Sequence, residues 1–175
     1  EWLLGEAPPA AREPVGRYGA ESRANAVLLQ RADPPARLVK ESLNFGNYLA
    51  GDLYFPTNVA GTERRLPAFV WLHPISVSNG YVAGYFRGEP PHLALTRSGY
   101  AVFAFDQIGN GGRLEEACDF YRRYPRWSLL GKTVADTTAA VELLRGHPRV
   151  DPAQIYLLGY GTGAMAALAA GALDE

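Results

Sequence analysis

Short apolar runs along the chain predict its strands. "AFVWLH" (68–73) and "YAVFAFD" (100–106) are almost continuously apolar, which is typical of parallel-sheet strands that are buried on both faces. "YLAGDLYFP" (48–56) alternates apolar and polar positions and ends at a proline, which predicts an antiparallel strand at an edge of the sheet. A fourth run, "IYLLGYG" (155–161), follows the turn-like "PRVDPAQ" and predicts another buried strand.

Three further stretches predict helices: "PPHLALTRSG" (90–99), "SLLGKTVADTTAAVELLRGH" (128–147) and "TGAMAALAAGAL" (162–173). In the second, apolar side chains recur at steps of three and four residues, Ser128 stands at the N-cap position and Gly146 at the stop. Strands that alternate with helices predict an α/β fold, in which a mostly parallel sheet is wound through right-handed crossovers and flanked by helices.

The first part of the chain has a different composition. Residues 1–41 are rich in Pro, Ala and Arg, with "GEAPPAAREP" and "RADPPARL" as coil signals. We therefore expect a coil-rich N-terminal arm over 1–41 that wraps the surface of a domain formed by 42–175.

Composition excludes several classes of function. With 47% hydrophobic and 20% charged residues in 175, the chain is of the soluble, globular type, and a net charge of −1 without basic blocks argues against nucleic-acid binding. The single cysteine, Cys118, allows no internal disulfide, and His73, His92 and His147 have no second ligand at metal-binding spacing. We predict no metal, no cofactor and no membrane span. The compartment is not assigned, and a secreted or periplasmic location is compatible with the sequence.

Three glycines at alternating positions join the last strand to the last helix. One interpretation is the dinucleotide-binding turn G-x-G-x-x-A, with Gly159, Gly161 and Ala164 at its fixed positions. Its confirming acidic residue would lie about 20 residues further on, beyond Glu175. That turn also usually opens its domain, whereas here several predicted strands precede it.

The other interpretation is a nucleophile elbow, G-x-S-x-G, with glycine at the serine position. Gly159 and Gly163 would be the flanking glycines, needed because strand and helix pass too close for side chains, and Gly161 would occupy the place of the nucleophile. An elbow also requires an earlier strand followed by an oxyanion loop. "AFVWLH" followed by "PISVSNGY" meets this requirement.

Three segments carry a resemblance to a known family: "WLHPISVSNGY" (71–81), "VFAFDQIGNGGRLEEACDFYRRYPRWSLLGKTVADTTAAVELL" (102–144) and "VDPAQIYLLGYGTGA" (150–164). Together they resemble α/β-hydrolases of the acetyl xylan esterase and dienelactone-hydrolase-like group, over residues 42–175. The most specific pieces are "FDQIG…R" and "YPRWSLLGK", which the dinucleotide interpretation leaves unexplained. The resemblance implies the α/β-hydrolase fold.

The resemblance also implies roles for individual residues. Gly161 holds the nucleophile position, and the Thr162 amide would be one oxyanion donor. Because Pro74 has no N–H, the Ile75 amide is the best candidate for the second donor. Thr162 is a poor replacement nucleophile, since shifting the register would put Tyr160 where a small residue belongs.

Four more residues are candidates for the substrate pocket, each with a structural alternative. We expect His73 to anchor its loop rather than to act as a base. Asp106 is expected to shape the "FDQIG" loop rather than to take part in catalysis. Tyr121 and Trp127 would line the pocket or would simply pack.

A serine hydrolase also needs a catalytic acid and a histidine. Triad partners follow in the order Ser, acid, His, so we expect both beyond residue 175, with the rest of the domain supplied by a second segment or a partner chain. The first hypothesis is a carboxylic ester hydrolase, acetyl esterase-like, for small esters or acetylated sugars, and inactive or nearly so with Gly161. The alternative is a non-catalytic binding or structural member of the fold, and the third is a dinucleotide-binding protein. The sequence does not say whether Gly161 is natural or engineered.

Overall fold

The computed structural model describes residues 3–8, 25–31, 36–46, 49–57, 64–83 and 88–173. Its strands are β1 (Asn25–Arg31), β2 (Ala36–Phe45), β3 (Leu49–Pro56), β4 (Leu66–Leu72), β5 (Ala101–Phe105) and β6 (Val150–Gly159). Its helices are α1 (Pro91–Arg97), α2 (Leu114–Cys118), α3 (Phe120–Arg123), α4 (Leu129–Arg145) and α5 (Thr162–Gly171). Two short 3-10 turns lie at Gly80–Ala83 and Gly111–Arg113.

The strands form one sheet in the order β1-β2-β3-β5-β4-β6. β4 pairs in parallel with both β5 and β6, whereas the β1–β2, β2–β3 and β3–β5 pairs are antiparallel. In this sheet β2, β4, β5 and β6 therefore point the same way. In the β4–β6 pair, Leu66 is opposite Val150 and Ala68 is opposite Ile155, so the turn-like "DPAQ" bulges out before the regular pairing.

Helices cover the two faces of the sheet. On one face, alternate strand residues such as Val70, Leu72 and Phe103 pack in one core with Leu143 and Leu144 of α4. On the other face, the intervening side chains, among them Trp71, Val102 and Ala104, pack with Leu93 of α1 and with Tyr81. Because both faces are buried, β4 and β5 need apolar side chains at nearly every position.

The predicted strands and helices from residue 66 onward are confirmed. The runs at 68–73 and 100–106 are β4 and β5, and the helical repeat at 128–147 is α4. Ser128 caps α4, since its Oγ accepts from the Gly131 amide at 2.8 Å. The alternating segment at 48–56 is the antiparallel strand β3, but its predicted edge position is wrong, because β2 pairs with its outer side.

The first part of the chain differs from the coil prediction in two stretches. β1 and β2 fall within residues 25–45, and the predicted division between residues 41 and 42 lies inside β2. In the second half of β2, Glu41, Leu43 and Phe45 are buried while Ser42 and Asn44 are exposed, a period of two that the neighbouring prolines obscured. Residues 9–24 and 32–35 of the predicted arm lie outside the described residues.

Candidate functional site

Three loops meet at one edge of the sheet. The β4 loop (residues 73–83), the β5 loop (residues 106–113) and the turn at 160–161 follow the carboxyl ends of three parallel strands. Because parallel strands end at the same edge, these loops lie side by side, where ligands bind in open α/β sheets. Of the predicted site residues, these loops contain His73, Ile75, Asp106 and Gly161, and Gly159, Thr162 and Gly163 flank the last of them.

The turn between β6 and α5 has a defined conformation. Gly161 has φ 58° and ψ −122° and precedes the first helical residue, Thr162. The amide of Gly163 donates to Tyr160 O at 3.0 Å, which closes a four-residue turn. These angles and this hydrogen bond match a type II′ turn with glycine at its first central position. A side chain there costs on the order of 1–3 kcal/mol in backbone strain.

The flanking glycines lie where backbones touch. A Cβ built on Gly159 would overlap the carbonyl of Gly163, and a Cβ on Gly163 would overlap the carbonyl oxygen of Leu72 and lie 2.7 Å from His73 O. Strand β6, the start of α5 and the end of β4 therefore approach each other too closely for any side chain at these two positions.

Gly161 itself has room. A Cβ at this position would lie 3.4 Å from Pro74 Cβ and 3.9 Å from Pro74 Cα, which is ordinary van der Waals contact. The turn thus faces the start of the β4 loop. The structure brings Gly161, Gly163, His73 and Pro74 together.

His73 is fully buried and both of its ring nitrogens are engaged. Nδ1 lies 2.6 Å from Pro74 O, and Nε2 accepts from the Gln107 amide at 3.2 Å. This pattern fits a neutral ring that donates from Nδ1. Burial lowers its pKa, against the opposing effects of the Pro74 carbonyl and the Asp106 charge. With no ring nitrogen left for a substrate, His73 anchors its loop.

The two amides predicted as oxyanion donors lie on either side of the Pro74–Gly161 contact. Thr162 is the first residue of α5, and Ile75 follows Pro74 with its side chain 56% exposed. In the part of the chain that the structure describes, neither amide donates a hydrogen bond to another protein group. The next amide, of Ser76, donates to Asn110 Oδ1 at 2.7 Å.

Asp106 organises the loops. Its Oδ1 accepts from the Tyr81 amide and its Oδ2 from the Gly112 amide, both at 2.9 Å. A Cβ on Gly80 or Gly111 would overlap this carboxylate, so both glycines are required by the close approach. Both oxygens of Asp106 are occupied by backbone amides, as expected of a residue that shapes a loop.

A partly buried ionic cluster, centred on the buried Asp136, holds the β5 loop to α4. Arg113 donates to Asp106 O at 3.0 Å, to Asp136 at 2.8 Å and to both oxygens of Glu116, and Lys132 pairs with Asp136. Burial alone would lower the pKa of Arg113, but Glu116 and Asp136 outweigh it and raise that pKa. Burial would likewise raise the pKa of Glu116, but Arg113 and then Lys132 lower it. No local pattern in the sequence indicates this cluster, because its members are up to 23 residues apart.

The two remaining pocket candidates, Tyr121 and Trp127, differ in their burial. Trp127 is 4% exposed and packs with Ile108 and Phe120, whereas Tyr121 is 55% exposed. A cavity of about 390 Å³ lies elsewhere, between α4, α5 and β6, and contains none of the predicted site residues. Among the described residues there is no group of three His, Cys, Asp or Glu side chains suited to a metal, and no described helix is long and apolar enough to span a membrane.

Solved structures of esterases resemble this architecture. An acetyl xylan esterase from Paenibacillus sp. R4 is 20% identical, with a TM-score of 0.57, over 87% of this chain and 50% of that one. An acetyl xylan esterase from Thermoanaerobacterium sp. JW/SL YS485 is 18% identical, with a TM-score of 0.58, over 94% and 52%. A glucuronoyl esterase from Teredinibacter turnerae T7901 is 16% identical, with a TM-score of 0.56, over 98% and 45%. The chain has the α/β-hydrolase fold.

The match covers only part of these enzymes. The chain spans about half the length of each of these three esterases. No family model and no curated protein matches it in sequence. In α/β-hydrolases in general, a sharp strand-to-helix turn carries the nucleophile, and an oxyanion donor comes from the loop after an earlier strand.

Sequence reasoning missed the residues that join the loops. Asn110 and Arg113 contact the β4 loop and α4 across 34 and 23 residues of sequence, and no local pattern reports such contacts. One signal was available: "SNGY" and "GNGG" each place glycine beside asparagine, a turn signature, and Gly80 and Gly111 of these two turns close around Asp106.

Proposed function

We propose that this chain is part of a carboxylic ester hydrolase of the acetyl esterase type, with Gly161 at the nucleophile position. The observation that carries the proposal is the turn at Gly161, with its II′ angles, its two flanking glycines in backbone contact and its position against the β4 loop. The proposed substrates are small esters, including acetylated sugars. With glycine at this position the chain is inactive or nearly so, because no hydroxyl is there to attack the ester carbonyl.

Within this chain, the other proposed catalytic groups are the two backbone amides of Ile75 and Thr162. A serine Oγ at position 161 would pass its proton to the histidine supplied from elsewhere as it attacks the acyl carbon. The Ile75 and Thr162 amides would stabilise the oxyanion that forms, until the ester C–O bond breaks and the alcohol leaves with that proton. Each such donor is worth roughly 2.7–4 kcal/mol in serine hydrolases. Removing the nucleophile from such a site leaves a residual acceleration of about 10³–10⁴ over water. Weak turnover by the Gly161 protein is compatible with the proposal.

The acid, the histidine and the remaining strands would come from a further segment or a partner chain. Support comes from the chain's span of about half of each esterase and from the surface beside β6. Tyr156, Met165 and Leu168 are large apolar side chains there, exposed by 47%, 53% and 76%. A surface of this kind suits a covering element.

A non-catalytic binding or structural role is the second candidate. Gly161 itself favours it, because glycine removes both the nucleophile and the backbone strain that a catalytic side chain would impose. The dinucleotide-binding hypothesis stays third, since the backbone contacts of Gly159 and Gly163 account for these glycines without a pyrophosphate.

The proposal is tested by restoring the hydroxyl in the complete protein. p-Nitrophenyl acetate hydrolysis is measured for the Gly161 protein and for the Gly161→Ser and Gly161→Ala variants at equal concentration. A gain of about 10³-fold or more for serine alone, with alanine unchanged, supports the esterase. Equal rates for all three variants, each shown to be folded by its thermal unfolding, would overturn it in favour of binding.

A further inference from the structure

Hydrogen bonds join the β4 loop and the β5 loop along their length. Five bonds between described residues cross from one to the other: Gln107 N to His73 Nε2 (3.2 Å), Gln107 Nε2 to His73 O (2.6 Å), Ser76 N to Asn110 Oδ1 (2.7 Å), Gly111 N to Val77 O (3.1 Å) and Tyr81 N to Asp106 Oδ1 (2.9 Å). None of these residues lies in a strand, so these bonds, rather than strand pairing, hold the β4 loop to the β5 loop.

Asn110 is the central link. Its Oδ1 accepts from the Ser76 amide, and its Nδ2 donates to Ile108 O at 3.2 Å and to Gln107 O at 3.4 Å. The side-chain amide is therefore held by its own loop on one side and holds the β4 loop on the other. An asparagine suits this position, because one planar group supplies the acceptor and both donors.

Ile75 lies between two fixed points. Before it, the Pro74 carbonyl oxygen, which belongs to the same peptide as the Ile75 N–H, lies 2.6 Å from Nδ1 of the buried His73, and after it the Ser76 amide is bonded to Asn110. The peptide that carries the Ile75 N–H therefore has little freedom to rotate, although its side chain is largely exposed. Pre-organisation of this kind is what makes an oxyanion donor effective, since no reorientation is needed as charge develops.

We propose that Asn110 is a positioning residue, which acts through Ser76 to hold the Ile75 amide in place beside residue 161. This inference rests on the proposed function for its catalytic part. It does not depend on it for its structural part, because the hold on Ser76 can be measured in the Gly161 protein itself. Asp106 supports the same loop further along, through Tyr81.

The structural part is tested by amide hydrogen exchange, followed residue by residue in the complete Gly161 protein. We expect Asn110→Ala to speed exchange of the Ser76 amide at least tenfold. Asn110→Asp keeps an oxygen for the Ser76 amide but loses both donors to the Gln107 and Ile108 carbonyls, so we expect its protection to fall between that of Asn110→Ala and that of the parent. Asn79→Ala is the matched control, since Asn79 is an exposed asparagine of the same β4 loop. Unchanged Ser76 exchange in Asn110→Ala would overturn the proposal.

The catalytic part is tested in the Gly161→Ser background with p-nitrophenyl acetate. We expect Asn110→Ala to lower kcat ten- to hundredfold with little change in KM, Asn110→Asp to have a kcat between those of Asn110→Ala and the parent, and Asn79→Ala to match the parent. Faster Ser76 exchange with unchanged kcat would make Asn110 merely structural and would refute the positioning role. If Gly161→Ser has no activity, the positioning role in hydrolysis falls with the proposed function, and the exchange result shows separately whether Asn110 holds Ser76.

Discussion

Pro74 faces Gly161 across a gap that a single Cβ would fill, since a Cβ built on residue 161 would lie 3.4 Å from Pro74 Cβ. The site therefore has space for a small side chain at this position. The backbone conformation of residue 161 opposes such a side chain, because its φ is 58° and its ψ is −122°, a conformation that favours glycine. The cost of a side chain at this turn therefore comes from backbone strain and not from lack of space, and substitutions can distinguish these two causes.

Gly161→Ala should destabilise the protein by about 1–3 kcal/mol, the cost of holding a non-glycine residue in this conformation. The free energy of unfolding from urea titration measures it. Gly171→Ala is the matched control: Gly171 ends α5, and nothing lies within 4 Å of its added Cβ, so this variant should be neutral or slightly more stable. A neutral Gly161→Ala would mean that the turn relaxes to another conformation.

Gly163→Ala should lower the free energy of unfolding more than Gly161→Ala, although the change in side chain is the same. Its Cβ would overlap the backbone carbonyl of Leu72, and neither β4 nor α5 can move away without losing the packing between them. Forcing an extra group into a packed backbone contact typically costs about 1–3 kcal/mol and occasionally more, and we expect about 3 kcal/mol or above. The same urea titration checks the order, which would be contradicted if Gly163→Ala were the milder change.

The sequence predicted those strands and helices whose buried faces can be recognised from their own apolar pattern. The continuous apolar runs of β4 and β5 and the three-and-four repeat of α4 each describe a local surface, and the structure has these elements where the patterns place them. The glycine spacing at 159, 161 and 163 is also local, and so the elbow-like turn could be predicted.

What could not be predicted depends on partners distant in sequence. β2 carries Lys40, Glu41 and Ser42 in a row, which weakens its apolar alternation. Glu41 is nevertheless buried, because His147 and Arg149, in the turn between α4 and β6, pair with it. Ser42 and Lys40 bond to Asp52 across the β2–β3 pair. β3 is therefore an interior strand, and nothing within "YLAGDLYFP" itself could have shown it.

Asp136→Ala should destabilise the protein by about 3–5 kcal/mol, the typical cost of breaking a buried ion pair by removing one partner. Asp136 is buried and pairs with both Arg113 and Lys132, so its loss leaves two cations sharing Glu116. Urea titration of Asp136→Ala beside Asp119→Ala gives the comparison. Asp119 pairs with Arg122 on the surface, and its loss should cost about 0–1 kcal/mol. Equal losses would show that burial of the Arg113 cluster contributes nothing.

His147 joins α4 and β6 to β2 as a neutral ring. Its Nδ1 accepts from the Arg149 amide at 3.2 Å, and its Nε2 lies 3.3 Å from Glu41 Oε2, so Nε2 carries the hydrogen that Glu41 accepts. Burial lowers the pKa of His147 to about 4. The nearby Glu41 carboxylate does not reverse this effect, because the Arg149 guanidinium already pairs with it.

This lowered pKa makes stability depend on pH. The unfolded chain binds a proton at His147 near the ordinary pKa of 6.5, whereas the folded protein does so only near 4, so the unfolded state holds more protons between these values. Stability from His147 is therefore complete above pH 6.5 and is lost as the pH falls towards 4, by about 2 kcal/mol between about pH 8 and pH 5.

The measurement is the free energy of unfolding at both pH values, for the protein and for His147→Gln. The glutamine side chain of the variant does not titrate, and other groups cancel in the comparison, so the stability advantage of His147 over the variant should shrink by about 2 kcal/mol at the lower pH. An advantage that stays the same at both pH values would show that His147 is not held neutral in the folded protein.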